Sequence, residues 1–272
     1  MLVNGDPGNL ISIRDRGLLY GDGVFRTLRA SQGHAAGWPL HFEKLRHDCA
    51  ALGITCPDFN LLSSELETLL LSHPDGVVKL IVTRGSGERG YAPALTPPPP
   101  TRLWDISPTP VYPAEWAKLG IKARVCQLRL GHQPRLAGVK HLNRLENVLA
   151  AAESSDSGIG EGLLLDVEGH VIEGTRSNLF LVSGGELITP RLSACGVAGV
   201  QRDRVMDWAA RHGMQVRVRE VLLDELLMAD EVFLVNSIIA LWPIRELEQR
   251  RWTTFPVSHR IRQYLEGHNE TQ

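Results

Sequence analysis

Apolar residues recur at three-to-four spacing from Leu40 to Ile54, where Phe42, Leu45, Cys49 and Leu52 share one helical face and Gly53 supplies a stop. The spacing predicts an amphipathic helix. The stretch LLSSELETLLLSH repeats the pattern, Pro74 and Gly76 break it, and VVKLIVTR reads as a buried strand. Pro97 to Pro100 admit only an extended turn or loop, because proline fixes φ and lacks an amide donor. A second proline cluster, ISPTPVYP, marks a boundary between Ser107 and Pro113. The pattern therefore predicts a small N-terminal α+β domain, residues 1–109, and a larger C-terminal domain, residues 110–272.

The second half opens with the strand IKARVCQLRL. A helix is predicted over LNRLENVLAAAESS, so that the lysine of GVKHLNRLE stands where the helix begins. In EGLLLDVEGHVIEGTRSNLFLV two apolar runs flank Glu168-Gly169, a hairpin signature, and a third strand returns from Asn178 to Val182. GVAGVQRDRVMDWAARHG reads as a helix with glycines before its first turn and Gly213 at its end. QVRVREV and EVFLVN add two more strands. No internal repeat is present.

The chain has 272 residues, 43% hydrophobic and 22% charged, enough to bury a substantial core. Its formal net charge of −2 supplies no basic field to attract nucleic acid or an anionic membrane. A small-molecule substrate is the expectation. Cys49, Cys56, Cys126 and Cys195 form no C-x-x-C or metal-finger spacing, so they read as reduced thiols and no metal site is expected. No run of about 18 apolar residues occurs and the N-terminus has no signal-peptide pattern, which makes the cytoplasm the expected location.

Several segments carry candidate chemistry, each with a plainer alternative. GSGERG, Gly85 to Gly90, follows a strand as a dinucleotide fingerprint does, but the proline-rich stretch after it cannot be the helix such a motif needs. It reads better as a mobile loop whose Arg84 and Arg89 either clamp carboxylates or simply face water. Lys140 next to a helix start could be an amine with a lowered pKa, where an arginine could not serve, or a lysine snorkelling from a helix end. Glu173 ends the strand HVIE and either caps the turn GTRSN or faces a protonated ring nitrogen. The glycines of GVAGVQR could let the amides of Val200 and Gln201 point at an anion. Ser237 in VNSIIALWP could add a hydroxyl, and Lys44 in HFEKL a point charge.

Taken in order, RDRGLLYGDGVFRTLR, HFEKLRHDC, TRGSGERGY, AGVKHLNRLENVLA, EGTRSNLFLV, TPRLSACGVAGVQRDRV and NSIIALWPI resemble the fold-type IV pyridoxal phosphate enzymes, over almost the whole chain. That family comprises the branched-chain and D-amino acid aminotransferases and the aminodeoxychorismate lyases. RGSGERGY and LAGVKHLNRLENVL are most similar to the lyases. The resemblance implies a barrel-like mixed sheet with flanking helices in the larger domain, and a homodimer. It also implies release of 4-aminobenzoate and pyruvate from 4-amino-4-deoxychorismate, with an aminotransferase as the alternative. By position, Lys140 is implied as the Schiff-base lysine, Glu173 as the partner of the pyridine nitrogen, and Thr27 as a proton-transfer residue. Val200, Gln201, Ser237 and Lys44 are implied for the phosphate, and Arg84, Arg89 and Tyr91 for the substrate. Lys44 departs from the family's usual arginine, keeping the charge and losing the bidentate fork.

Overall fold

The computed structural model describes residues 1–267; residues 268–272, the tail of the expected second domain, lie outside the described residues. Two compact units emerge. The first comprises residues 1–110 with 139–143, and the second residues 111–138 with 144–267.

In the first unit a six-stranded antiparallel sheet runs in the order Asp6–Pro7, Leu2–Val3, Thr101–Ser107, Gly76–Thr83, Gly23–Ser31, His34–Ala35. Alternate residues of its central strands, Val24, Leu28, Val78, Leu80, Val82 and Trp104, are buried in one cluster with Leu45, Cys49, Leu62, Leu66 and Leu69. Those last residues come from helices Trp38–Leu52 and Phe59–Ser72, so the predicted apolar stripes are the faces that meet the sheet. Gly53 closes the first helix in the left-handed conformation, and the Asp58 side chain caps the second by accepting the Asn60 amide.

The second unit is built on a nine-stranded mixed sheet. Six of its strands close on themselves: Asn178–Ser183, Glu231–Asn236, Ala240–Leu247, Ile121–Leu130, Ile159–Asp166 and Val171–Gly174, with Asn178 pairing back to Glu173. The result is a mixed barrel. Leu179, Leu181, Val232 and Leu234 join one core cluster. Phe180, Val182, Phe233 and Val235 join another, with residues of helices Val200–Arg211 and Pro256–Gly267. Burial on both faces explains why NLFLV and EVFLV are continuous apolar runs rather than alternating ones.

Two expectations change. The helix expected from Leu142 begins at Leu145, and Lys140 stands five residues before it in a non-helical strap. The strap's backbone groups are already engaged: the Phe25 amide donates to the Lys140 carbonyl (3.0 Å) and the Leu142 amide to the Gly23 carbonyl (3.0 Å). Lys140 therefore does not stand in the first turn of that helix. The same bonds, with Val139 buried in the first unit's core, put residues 139–143 in the first unit and not the second, where the expected boundaries had placed them.

Candidate active site

Arg26 lies in the inward phase of strand Gly23–Ser31, between Val24 and Leu28, and is 2% exposed. Its guanidinium pairs with Asp48 on helix Trp38–Leu52 and donates to the Lys44 carbonyl (2.9 Å). The same Asp48 oxygen accepts the Lys140 amide at 2.9 Å. Lys140 is thus fixed through its own backbone at two points, and its Nζ lies 4.4 Å from the centre of the Phe25 ring. Thr27 follows Phe25 by two residues, which places both on the sheet face opposite the apolar core. Across the ladder Thr27 pairs with Lys79, whose ammonium sits 5.1 Å from the same Phe25 ring. Within this unit, then, Lys140, Phe25, Thr27 and Lys79 share one region, and Lys44 is half-buried one turn before Asp48.

Arg84 is placed differently from its expected role. It is buried and donates to both Asp22 oxygens (2.8 and 3.0 Å), to the Gly53 carbonyl (2.6 Å) and to the Leu52 carbonyl (2.7 Å). A guanidinium so engaged grips its own fold, not a substrate carboxylate. Burial pushes Asp22 up, but the bonds from Arg84 and Arg16 outweigh it and hold its carboxyl below the ordinary value of 3.8. Arg16 also donates to the carbonyls of Gly90 (3.0 Å) and Tyr91 (2.7 Å), and the Gly87 amide donates to the Arg14 carbonyl. The glycine loop expected to be mobile is thereby pinned along its length. Arg89 and Tyr91 are exposed on it, with Tyr91 against Tyr20 at 5.4 Å between centroids.

In the second unit Glu173 is 4% exposed at the end of the short barrel strand Val171–Gly174. Its carboxylate accepts the Val197 amide at 2.9 Å. The loop carrying Val197 is held by Gly138, whose amide donates to the Gly196 carbonyl (2.9 Å) and whose carbonyl accepts the Ala198 amide (3.0 Å). Two residues beyond Gly138 along the chain comes Lys140. Gly196 adopts φ +85°, and an added Cβ would stand 2.8 Å from Ile172; at Gly199 it would stand 2.5 Å from the Asn178 side-chain oxygen. Both positions need glycine for close approach. Helix Val200–Arg211 starts immediately after, so the amides of Val200 and Gln201 have no partner within the helix and carry its positive end. Asn178 links these pieces by accepting the Gly199 amide (3.0 Å) and donating to the Val197 carbonyl (2.7 Å). Ser237 lies in the turn after strand Glu231–Asn236, where Asn236 accepts the amides of Ile238 (2.8 Å) and Ile239 (3.0 Å).

Sequence reasoning missed Asp48, Lys79, Arg16 and Asn178. Signals existed for two of them. Asp48 interrupts the apolar stripe between Leu45 and Cys49, and Lys79 alternates with Val78 and Leu80, which turns it away from the core.

A helix start with open amides beside a buried carboxylate is an arrangement that can receive a phosphate-bearing cofactor, and the chain belongs to the amino-transferase class IV family, whose description matches residues 23–247. The chain is similar to the aminodeoxychorismate lyase of Vibrio harveyi, 36% identical over 242 residues that cover 89% of each chain. The crystal structure of 4-amino-4-deoxychorismate lyase from Pseudomonas aeruginosa superposes with a TM-score of 0.94 at 44% identity, covering 98% of both chains. The D-alanine aminotransferase of Bacillus licheniformis is 27% identical over 88% of this chain and 83% of its own.

Proposed function

We propose that this protein is an aminodeoxychorismate lyase, which converts 4-amino-4-deoxychorismate to 4-aminobenzoate and pyruvate with pyridoxal phosphate as cofactor. The observation that carries the reading is the clamp on Lys140, which fixes the backbone through Asp48 and Phe25 and leaves the amine on the Phe25 and Thr27 face. The residues present suit the cofactor: Gly196 and Gly199 let the loop pack closely on Ile172 and Asn178, and the helix start that follows favours a phosphate.

When bound, pyridoxal phosphate supplies a protonated ring that accepts the electron pair left by a departing proton. Lys140 would hold it covalently, Glu173 would keep its ring nitrogen protonated, and Val200, Gln201, Ser237 and Lys44 would receive the phosphate. Lys140 Nζ, once released, removes the proton from the ring carbon that bears the substrate's amino group. Loss of the enolpyruvyl ether then aromatises the ring. The same nitrogen, with Thr27 Oγ1, returns a proton to the enol carbon so that pyruvate leaves. Lys79 and Arg89 are the side chains we assign to the substrate carboxylates, with Tyr91 beside Arg89; the inward bonds of Arg84 remove it from that role. We also read the protein as a cytoplasmic homodimer. Leu145, Val148 and Leu149 on helix Leu145–Ala152 are exposed by 73, 59 and 59%, an apolar face that suits a second copy. Light scattering at twice the chain mass supports the dimer; a monomer ends it.

Borohydride reduction followed by peptide mapping tests the central claim. A pyridoxyl adduct on Lys140 is expected, together with pyruvate and 4-aminobenzoate release by the native protein and none by Lys140→Ala. An adduct elsewhere, or no adduct, overturns the proposal. Rapid amino transfer from D-alanine or leucine to a keto acid, without release of those products, would identify the protein as an aminotransferase instead.

A further inference from the structure

Two groups of potential metal ligands that share Asp166 lie on the second unit, next to the loop whose Val197 holds Glu173. The hairpin between strands Ile159–Asp166 and Val171–Gly174 carries Asp166, Glu168 and His170; His132 lies just after strand Ile121–Leu130; and Cys195 precedes Gly196. His132 Nε2 lies 3.0 Å, and His170 Nδ1 3.3 Å, from the same oxygen, Asp166 Oδ2. One ligand atom from each of His132, Asp166 and Cys195 lies within 4.8 Å of the other two, and the same holds for Asp166, Glu168 and His170.

We infer that His132, Asp166 and Cys195 form a binding site for a divalent transition-metal ion of zinc type, with His170 on the same Asp166 oxygen as an outer partner. One imidazole, one carboxylate and one sulfur are a mixed N, O and S set that suits a borderline cation, and the hard ions magnesium and calcium prefer oxygen alone. The spacing agrees. Ligands about 2.0–2.1 Å from a tetrahedral ion stand about 3.3 Å apart, close to the 3.0 Å between His132 Nε2 and Asp166 Oδ2.

The frame is already set by bonds that do not involve the ion. Asp166 Oδ1 accepts the amides of Glu168 (3.0 Å) and His170 (2.8 Å), which aims Oδ2 at the two rings. The Gln133 amide donates to the Ala194 carbonyl (2.8 Å), joining the loop of His132 to that of Cys195. Binding uses the lone pair of His132 Nε2, so that ring carries its proton on Nδ1, and Cys195 releases its own to solvent. His132 Nδ1 then faces Glu168 Oε1, 4.0 Å away, an outer carboxylate of the kind that orients metal-bound histidines. Asp166 is 4% exposed and Cys195 8%, so the ion is reached from the histidine side. It would clip the hairpin to the loop whose Val197 holds Glu173.

Titration calorimetry with zinc on chelator-treated full-length protein tests this, with cobalt as a spectroscopic probe. One equivalent of zinc should bind, and cobalt should give the intense visible bands of tetrahedral coordination. His132→Ala/His170→Ala should weaken zinc by at least about tenfold, the lower end of what loss of even an outer partner costs. Cys195→Ser should shift the cobalt bands, whereas Cys49→Ser, in the first unit, should leave them unchanged. His132→Gln alone, at a partly exposed ring on a loop, keeps the test if the double variant does not fold. No binding by the native protein, or equal binding by the histidine variants, overturns the site.

Discussion

Arg26 and Asp48 are each 2% exposed on their side chains, and an ion pair so deep gains little net stability over an apolar pair yet is costly to break. Its use here is positional. One Asp48 oxygen receives both the Arg26 guanidinium and the Lys140 amide, so the ion pair orients the carboxylate that holds the strap. Asp48→Ala should lower stability by about 3–5 kcal/mol in denaturant unfolding, because it breaks the buried ion pair with Arg26 and removes the acceptor of the Lys140 amide. It should also reduce turnover in the fraction that remains folded. Unchanged unfolding would show that the pair does not carry this function. Both residues were visible in the sequence as polar intrusions into apolar stripes, but the pairing joins positions 26, 48 and 140, which no local pattern connects. Arg84 shows the reverse. A guanidinium beside a glycine loop has the composition of an anion clamp, and only the positions of Asp22, Leu52 and Gly53 show that its donors turn inward.

Elements with strong periodicity were legible: the helix from Leu40, the hairpin at Glu168-Gly169 and the barrel strands Ile121–Leu130 and Glu231–Asn236 follow the apolar pattern. Strand Ala240–Leu247 was not. Pro243 in its middle argues against a central strand, which is what it is. The ladder to Ile121–Leu130 begins only at Ile244, so on that side the missing amide of Pro243 costs no bond. The strap at Lys140 was read as a helix start because the apolar spacing of the true helix continues upstream through it. At its far end the Gly23 carbonyl accepts the Leu142 amide, and a Cβ on Gly23 would stand 2.8 Å from both the Val82 carbonyl and Leu142 Cδ1. Since a backbone oxygen cannot swing aside, Gly23→Ala should cost about 1–3 kcal/mol. Melting temperature and turnover should fall together, and a stable, fully active variant would show that the strap tolerates displacement.

At the scale of the molecule, the two units have separate cores, yet the first is incomplete as residues 1–110. Val139, 2% exposed, fills part of its core, and three bonds to Phe25, Gly23 and Asp48 close one side. A fragment of residues 1–110 should therefore melt several degrees below the same fragment with residues 138–144 attached through a flexible linker. Burying one valine contributes about 1.5–3 kcal/mol, and each kcal/mol moves the midpoint of a domain this size by about 4–8 °C. Equal midpoints in circular dichroism would show that the strap adds nothing to the first unit. The expected boundary at 109/110 followed the prolines, and no local pattern could reveal a later segment returning to an earlier core.

That return sets an order of events during synthesis. Residues 1–110 leave the ribosome before the piece that completes their core exists, and residues 111–138 must be made first. The nascent first unit therefore waits with a gap in its interior, and Lys140 arrives within the segment that closes it.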